Sequence, residues 1–163
     1  MKESKGFIKN IRGSNIDINT NLDLGKLPPQ ALDLEESVLG ALMLEKDALT
    51  NVIDILKPEN FYKDANKEIY QSIIDLFNDS EPIDLLTVTS QLKKNGKLEY
   101  VGGSFYVTQL TTRVNSASNI EYHARIILEQ SIKRQLIEVS GEVQKEAYAV
   151  SYTHLRAHET RTY

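Results

Sequence analysis

There is no cysteine among the 163 residues, which removes disulfides and thiolate metal sites and suits a reducing cytoplasm. No apolar run approaches the roughly 20 residues that a membrane span needs, and the first residues lack the apolar centre of a signal peptide. A soluble, cytoplasmic chain with no membrane contact is expected. Positive charge is also in short supply: 19 Lys and Arg stand against 23 Asp and Glu, giving a net charge of -4 and a pI near 5.4. Phosphate contacts need clustered Lys and Arg, so this chain is not expected to hold nucleic acid tightly. Lys93-Lys94 with Lys97, and Lys133-Arg134, are small basic clusters that read better as solvated helix ends.

Phosphate-binding loops are missing as well. Gly25-Lys26 and Gly96-Lys97 are each followed by leucine, where such a loop needs Ser or Thr after the lysine and an earlier glycine. Hence no nucleotide site, metal or cofactor is expected within these residues. His154 and His158 stand at i, i+4, but a third ligand is not evident and Glu159 is misplaced for a zinc-protease motif. His123, beside Tyr122, reads as a surface or packing residue. The carboxylates Glu35, Glu36 and Asp84 lie at expected helix starts, where meeting free N–H groups accounts for them better than acid-base chemistry.

What the chain does have is 40% apolar content, enough for one core, arranged with helical period. Asp33 and Glu36 are spaced as a capping pair ahead of Leu34, Val38, Ala41 and Leu42, predicting a helix to about Leu44. Leu49, Val52, Ile53 and Leu56 give the i, i+3, i+4, i+7 pattern of a second, stopped by Pro58. Ala65, Ile69, Ile73, Leu76 and Phe77 predict a third, ending at Asn78-Asp79. Pro82 and Asp84 open a fourth with Leu85, Val88 and Leu92 on one face, and Asn95-Gly96 closes it. Gly102-Gly103 then breaks the chain before an apolar stripe through Leu110. Leu86-Thr87-Val88-Thr89 is the nearest approach to a strand, and the Asp84 cap argues against it.

From Ser118 and Glu121, spaced as another capping pair, apolar residues Ile120, Ala124, Ile127, Ile132, Leu136, Val139, Val143 and Ala147 run for about eight turns. Such a helix needs a partner along its length, a second helix or another chain. The stripe of Ile120, Ala124, Ile127, Ile132 and Leu136 is therefore the expected association surface, supported at i, i+4 by Glu121 with Arg125 and Glu129 with Lys133. The fold class expected is all-α: a compact bundle of about five short helices followed by a long helix that begins a helical hairpin. Residues 1–26 read as a mobile tail, 27–114 as the core, and 118–149 as the long helix. Residues 150–163 abandon the apolar period and resemble a translated sequencing adapter, a non-native tail on a truncated frame.

The string Glu81–Tyr106, EPIDLLTVTSQLKKNGKLEYVGGSFY, resembles the N-terminal domain of the bacterial replicative DNA helicase of the DnaB type. Leu27-Pro28-Pro29-Gln30-Ala31 with Glu35 to Ala41, Phe61-Tyr62 ahead of Ile69 and Ile73, and Asn119 to Ile127 agree with it in order. The resemblance covers Leu27 to Ala149 and departs from the family only where Val114 to Ser118 lack a proline. It implies a domain that forms a hexameric collar by pairing hairpins and docks primase and a helicase loader. DNA, ATP and Mg would be handled by a RecA-like C-terminal motor absent here. The intact parent would then be an ATP-dependent replicative helicase, and this fragment would not be catalytic. The alternative reading is a free-standing helical adaptor or nucleic-acid-binding module, which a contiguous basic face would favour.

Overall fold

In the computed structural model, residues 27–114 and 118–159 are described, residues 152–159 by backbone alone. The tail expected over residues 1–26 and the side chains of His154 and His158 lie outside them. All regular structure among the described residues is helical: α1 (Leu32–Leu44), α2 (Asp64–Asn78), α3 (Leu85–Lys94), α4 (Gly103–Thr112) and α5 (Ile120–Glu159), with short 3-10 turns at Ala48–Asn51 and Pro58–Asn60.

The expected all-α class holds, with one helix fewer before Arg113. Leu49, Val52 and Leu56 are buried as their spacing requires, but the segment is a 3-10 turn followed by single turns rather than an α-helix. Thr50, Val52, Ile53 and Ile55 are β-branched and lose side-chain freedom in a helix. Between Glu45 and Pro58 there is also too little chain to offset helix nucleation. Burial sets the spacing here; it does not set the element.

α1 runs through the middle of the core. Val38, Leu39, Ala41, Leu42 and Met43 are all buried, covering more than one face, because α4 and α5 pack on one side and α2 on the other. Gly40 is what lets α4 approach: a Cβ there would lie 2.2 Å from the Leu110 carbonyl oxygen and 2.4 Å from Val114 Cγ2. The start of α1 corrects the expected cap. Ala31 occupies the N-cap with no side-chain bond, and Glu36 is drawn away to Lys63 and Arg113.

α3 follows its sequence signals closely. Asp84 Oδ1 accepts from the N–H groups of Leu86 at 2.8 Å and Thr87 at 2.9 Å, and the Asp84 N–H donates to Thr87 Oγ1 at 2.9 Å. At the other end Gly96 adopts φ 68° and the Lys97 N–H reaches back to the Leu92 carbonyl at 2.8 Å, a glycine-terminated helix end. α2 ends in the same way without glycine: Ser80 takes φ 57° while Glu81 N–H bonds the Leu76 carbonyl at 2.9 Å.

Candidate interaction surface

α5 extends for about 60 Å at 1.5 Å per residue, and only its first part lies on the core. Ile120, Ala124 and Ile127 are buried among the core residues of this same chain. Ser131 accepts from the buried Asn60 side chain at 3.2 Å. Arg134 then fastens the helix: its guanidinium donates to the Pro29 carbonyl at 2.8 Å and the Asn60 carbonyl at 2.7 Å and lies 5.5 Å from the centre of the Tyr62 ring. Past this clamp the side chains leave the fold.

The expected continuous stripe is thus two stripes. Ile132 is 46% and Leu136 62% exposed, with Val139 and Val143 alike in the open. The reason lies in the step from Ile127 to Ile132. Five residues at about 100° each rotate the next apolar position by about 140° beyond a full turn, so Ile132, Leu136, Val139 and Val143 form a row facing away from the core. Of the five residues of the expected surface, Ile120, Ala124 and Ile127 are buried within this chain, and Ile132 and Leu136 are exposed. On the core-facing line beyond the clamp stand Glu138 and Glu142, followed at the same i, i+4 spacing by Glu146, and none has an ion-pair partner among the described residues. Like charges at that spacing oppose the helix by a few tenths of a kcal/mol per pair.

α5 keeps its expected i, i+4 pairs and differs from expectation at its C-terminal end. Glu121 turns to Arg125, 2.7 Å away, as the i, i+4 reading requires, and Glu129 pairs with Lys133 at 2.6 Å. The helix does not stop at Ala149 but runs to Glu159, since residues 150–159 contain neither Pro nor Gly to end it.

The sequence candidates for chemistry resolve into structural roles. Glu35, buried, accepts from the Tyr62 N–H at 2.6 Å and Asn66 Nδ2 at 2.9 Å; it holds the entrance of α2 rather than capping its own helix. Its partners lie 27 and 31 residues away, beyond the reach of any local pattern. Tyr106 donates to Asn66 Oδ1 at 2.8 Å and lies 3.2 Å from Glu36 Oε1. Burial, then the adjacent Glu36 carboxylate, pushes its phenol pKa well above the ordinary value, so it stays a neutral donor. Tyr70, raised by burial alone, likewise donates to the Leu56 carbonyl at 3.1 Å. No group of three His, Cys, Asp or Glu among the described residues is placed to hold a metal ion.

The basic clusters do not gather into one face. Lys97 bonds Glu68 at 3.0 Å, Lys133 bonds Glu129, and Arg134 points inward. His123 sits beside Tyr122, ring centres 6.3 Å apart. Among the described residues, no helix is long and apolar enough to cross a membrane.

The described residues thus form a helical head with a long arm that is apolar along its outer row. The chain belongs to the DnaB-like helicase N-terminal domain family, whose model matches residues 27–129. It is 40% identical over 149 residues to the replicative DNA helicase DnaB of Rhodothermus marinus, covering 81% of this chain and 16% of that protein. It is 41% identical over 129 residues to the replicative DNA helicase DnaC of Bacillus subtilis, covering 79% of this chain and 28% of that protein. The chain therefore spans under a third of these curated relatives. Among solved structures, the N-terminal domain of DnaB helicase from Mycobacterium tuberculosis matches with TM-score 0.75 and 38% identity over 77% of this chain and 89% of that one. The N-terminal domain of DnaB helicase from Helicobacter pylori, described together with its interactions with primase, shares the fold at TM-score 0.62 with 22% identity, over 71% and 90% of the two chains.

Proposed function

We propose that this chain is the N-terminal association and docking domain of a bacterial replicative DNA helicase, acting in the cytoplasm. The observation that carries the reading is the outer row of α5. Apolar side chains at Ile132, Leu136, Val139 and Val143 remain in water only at a cost of roughly 25 cal/mol per Å², which burial against a second helical arm would recover. Paired arms would build the hexameric collar, with primase and a helicase loader as further partners. ATP, Mg and DNA would be handled by a motor beyond these residues, since none of the residues present makes a phosphate-binding loop.

Sedimentation across a concentration series tests it. The chain should associate as concentration rises, and Ile132→Asp should shift it toward monomer by removing apolar burial and placing a charge in the seam. Lys94→Asp, on α3, should change nothing. Equal association by the Ile132→Asp chain would sink the proposal.

A further inference from the structure

The end of α1 and the chain that joins α2 to α3 enclose a cleft on the head. Its apolar wall is made by Leu44, Phe77, Pro82 and Ile83, and Leu44 is 56% and Phe77 41% exposed. Two bulky apolar side chains therefore stay in water at one site. The cleft has a volume of about 310 Å³, the low end for a small-molecule site and enough for one or two large side chains. α1 is about 20 Å long, and Arg134 fastens the arm at Pro29, ahead of its first turn. The cleft thus lies at the other end of α1 from the start of the outer row.

The rim is acidic. Glu81 and Asp84 line it with Lys46, Glu45 and Asp47 flank Lys46 in the chain, and Asp79 shares an adjoining polar hollow with Glu81. Against these exposed carboxylates stand Lys46 and, on the far wall of the hollow, Lys94. The imbalance is local, since the whole chain has 19 Lys and Arg for 23 Asp and Glu. Elsewhere on the head Glu36, Asp64 and Glu68 are paired with Lys or Arg, whereas Glu45, Asp47, Asp79 and Glu81 have no such partner among the described residues. Asp84 uses Oδ1 for the α3 cap. The turn that carries the rim is already fixed by Ser80 at φ 57° and by the bond from the Glu81 N–H to the Leu76 carbonyl, so less order remains to be imposed when something binds.

We propose that this cleft docks a basic, amphipathic segment of a different protein. One or two bulky apolar side chains would lie between Leu44 and Phe77, and Lys or Arg beside them would meet Glu81, Asp79 and the carboxylates around Lys46. Charge selects the occupant: a second copy of this chain would bring a net charge of -4 toward an acidic rim. The site is a second docking surface, on the head, and does not depend on the pairing of arms.

The probe is a short fluorescent peptide with two leucines at i, i+4 among lysines. Added to the full ¹⁵N-labelled chain, it should shift the amide signals of residues 44–47 and 77–84 before any of residues 136–146, and salt should weaken it. Asp79→Lys with Glu81→Lys, and Leu44→Ser alone, should each weaken binding by about tenfold. Ile132→Asp should leave it unchanged. The charge-reversed chain should in turn bind the same peptide with glutamates in place of its lysines, which an unfolded variant would not do. No binding, shifts that begin on residues 136–146, equal binding of a lysine peptide without leucine, or indifference to the charge reversal would each overturn the proposal. Shifts of residues 44–47 and 77–84 on concentrating the chain without peptide would do so as well, since a second copy would then be the occupant. If peptide binding fails while Ile132→Asp still dissociates the chain, the head surface alone fails. If the peptide binds as expected while Ile132→Asp leaves association unchanged, arm pairing alone fails.

Discussion

Alanine at Ile127 and at Ile132, one at a time, separates the two halves of α5 by their energetics. Each change removes three carbons, worth about 2.4 kcal/mol of transfer free energy at about 0.8 kcal/mol per methylene if the site is fully buried. Ile127 is 1% exposed and packed in the core, so a cavity adds to the transfer loss and the cost should be about 3–4 kcal/mol. Against a total stability of about 5–15 kcal/mol, that lowers the melting temperature by roughly 10 °C or more. Ile132 is 46% exposed, and alanine is the better helix former by a few tenths of a kcal/mol. Its replacement should cost under about 1 kcal/mol in the monomer while weakening association. Calorimetry on dilute protein gives the first quantity and sedimentation the second. If Ile132→Ala lowers the melting temperature as far as Ile127→Ala, or if Ile127→Ala melts like the parent, the division of α5 into a core half and an outer half is wrong.

Three further substitutions test the fold that carries the arm. Asp84→Ala should cost about 1 kcal/mol at neutral pH through loss of the cap. The Asp84 carboxyl is held below its ordinary pKa, chiefly by the Thr87 N–H. Its contribution is therefore complete above the ordinary carboxylate pKa of about 4 and lost as pH falls through the lowered folded-state value, so melting curves of parent and variant should converge in acid. Gly40→Ala should destabilise by about 1–3 kcal/mol, because its Cβ meets the Leu110 carbonyl oxygen at 2.2 Å and α4 must retreat; unchanged denaturant unfolding would contradict that close approach. Ser80→Gly should stabilise by about 0.5–1 kcal/mol, relieving the φ of 57° that costs an L-residue about 1–2 kcal/mol, less the larger chain entropy of glycine. A lowered midpoint in urea would refute it.

What was legible in the sequence was local. Asp84, Gly96 and Gly102 act within four residues of themselves, and each stands in the structure as its type and spacing require. The buried positions of α2 and α3 follow their period for the same reason. Glu35 and Arg134 were not legible. The carboxylate of Glu35 holds the loop before α2, and Arg134 reaches Pro29, 105 residues away; such partners depend on which elements the core brings together. The segment Leu49–Leu56 lies between these cases, since period identifies which residues the core takes in without distinguishing an α-helix from a series of turns.

The division of α5 was in the sequence all along, in a single step of five where steps of three or four keep a face. That step has a second consequence. Positions that continue the core-facing line past Ser131, seven and eleven residues on, are Glu138 and Glu142, and carboxylates there cannot be drawn into an apolar core without a large desolvation cost. The charges stop the core from spreading along the helix, so α5 must project as an arm. The apolar row, turned by about 140°, then faces whatever approaches from outside. One break in period thus fixes where the core ends along α5, keeps the arm extended and aims its apolar row away from the residues that stabilise the head.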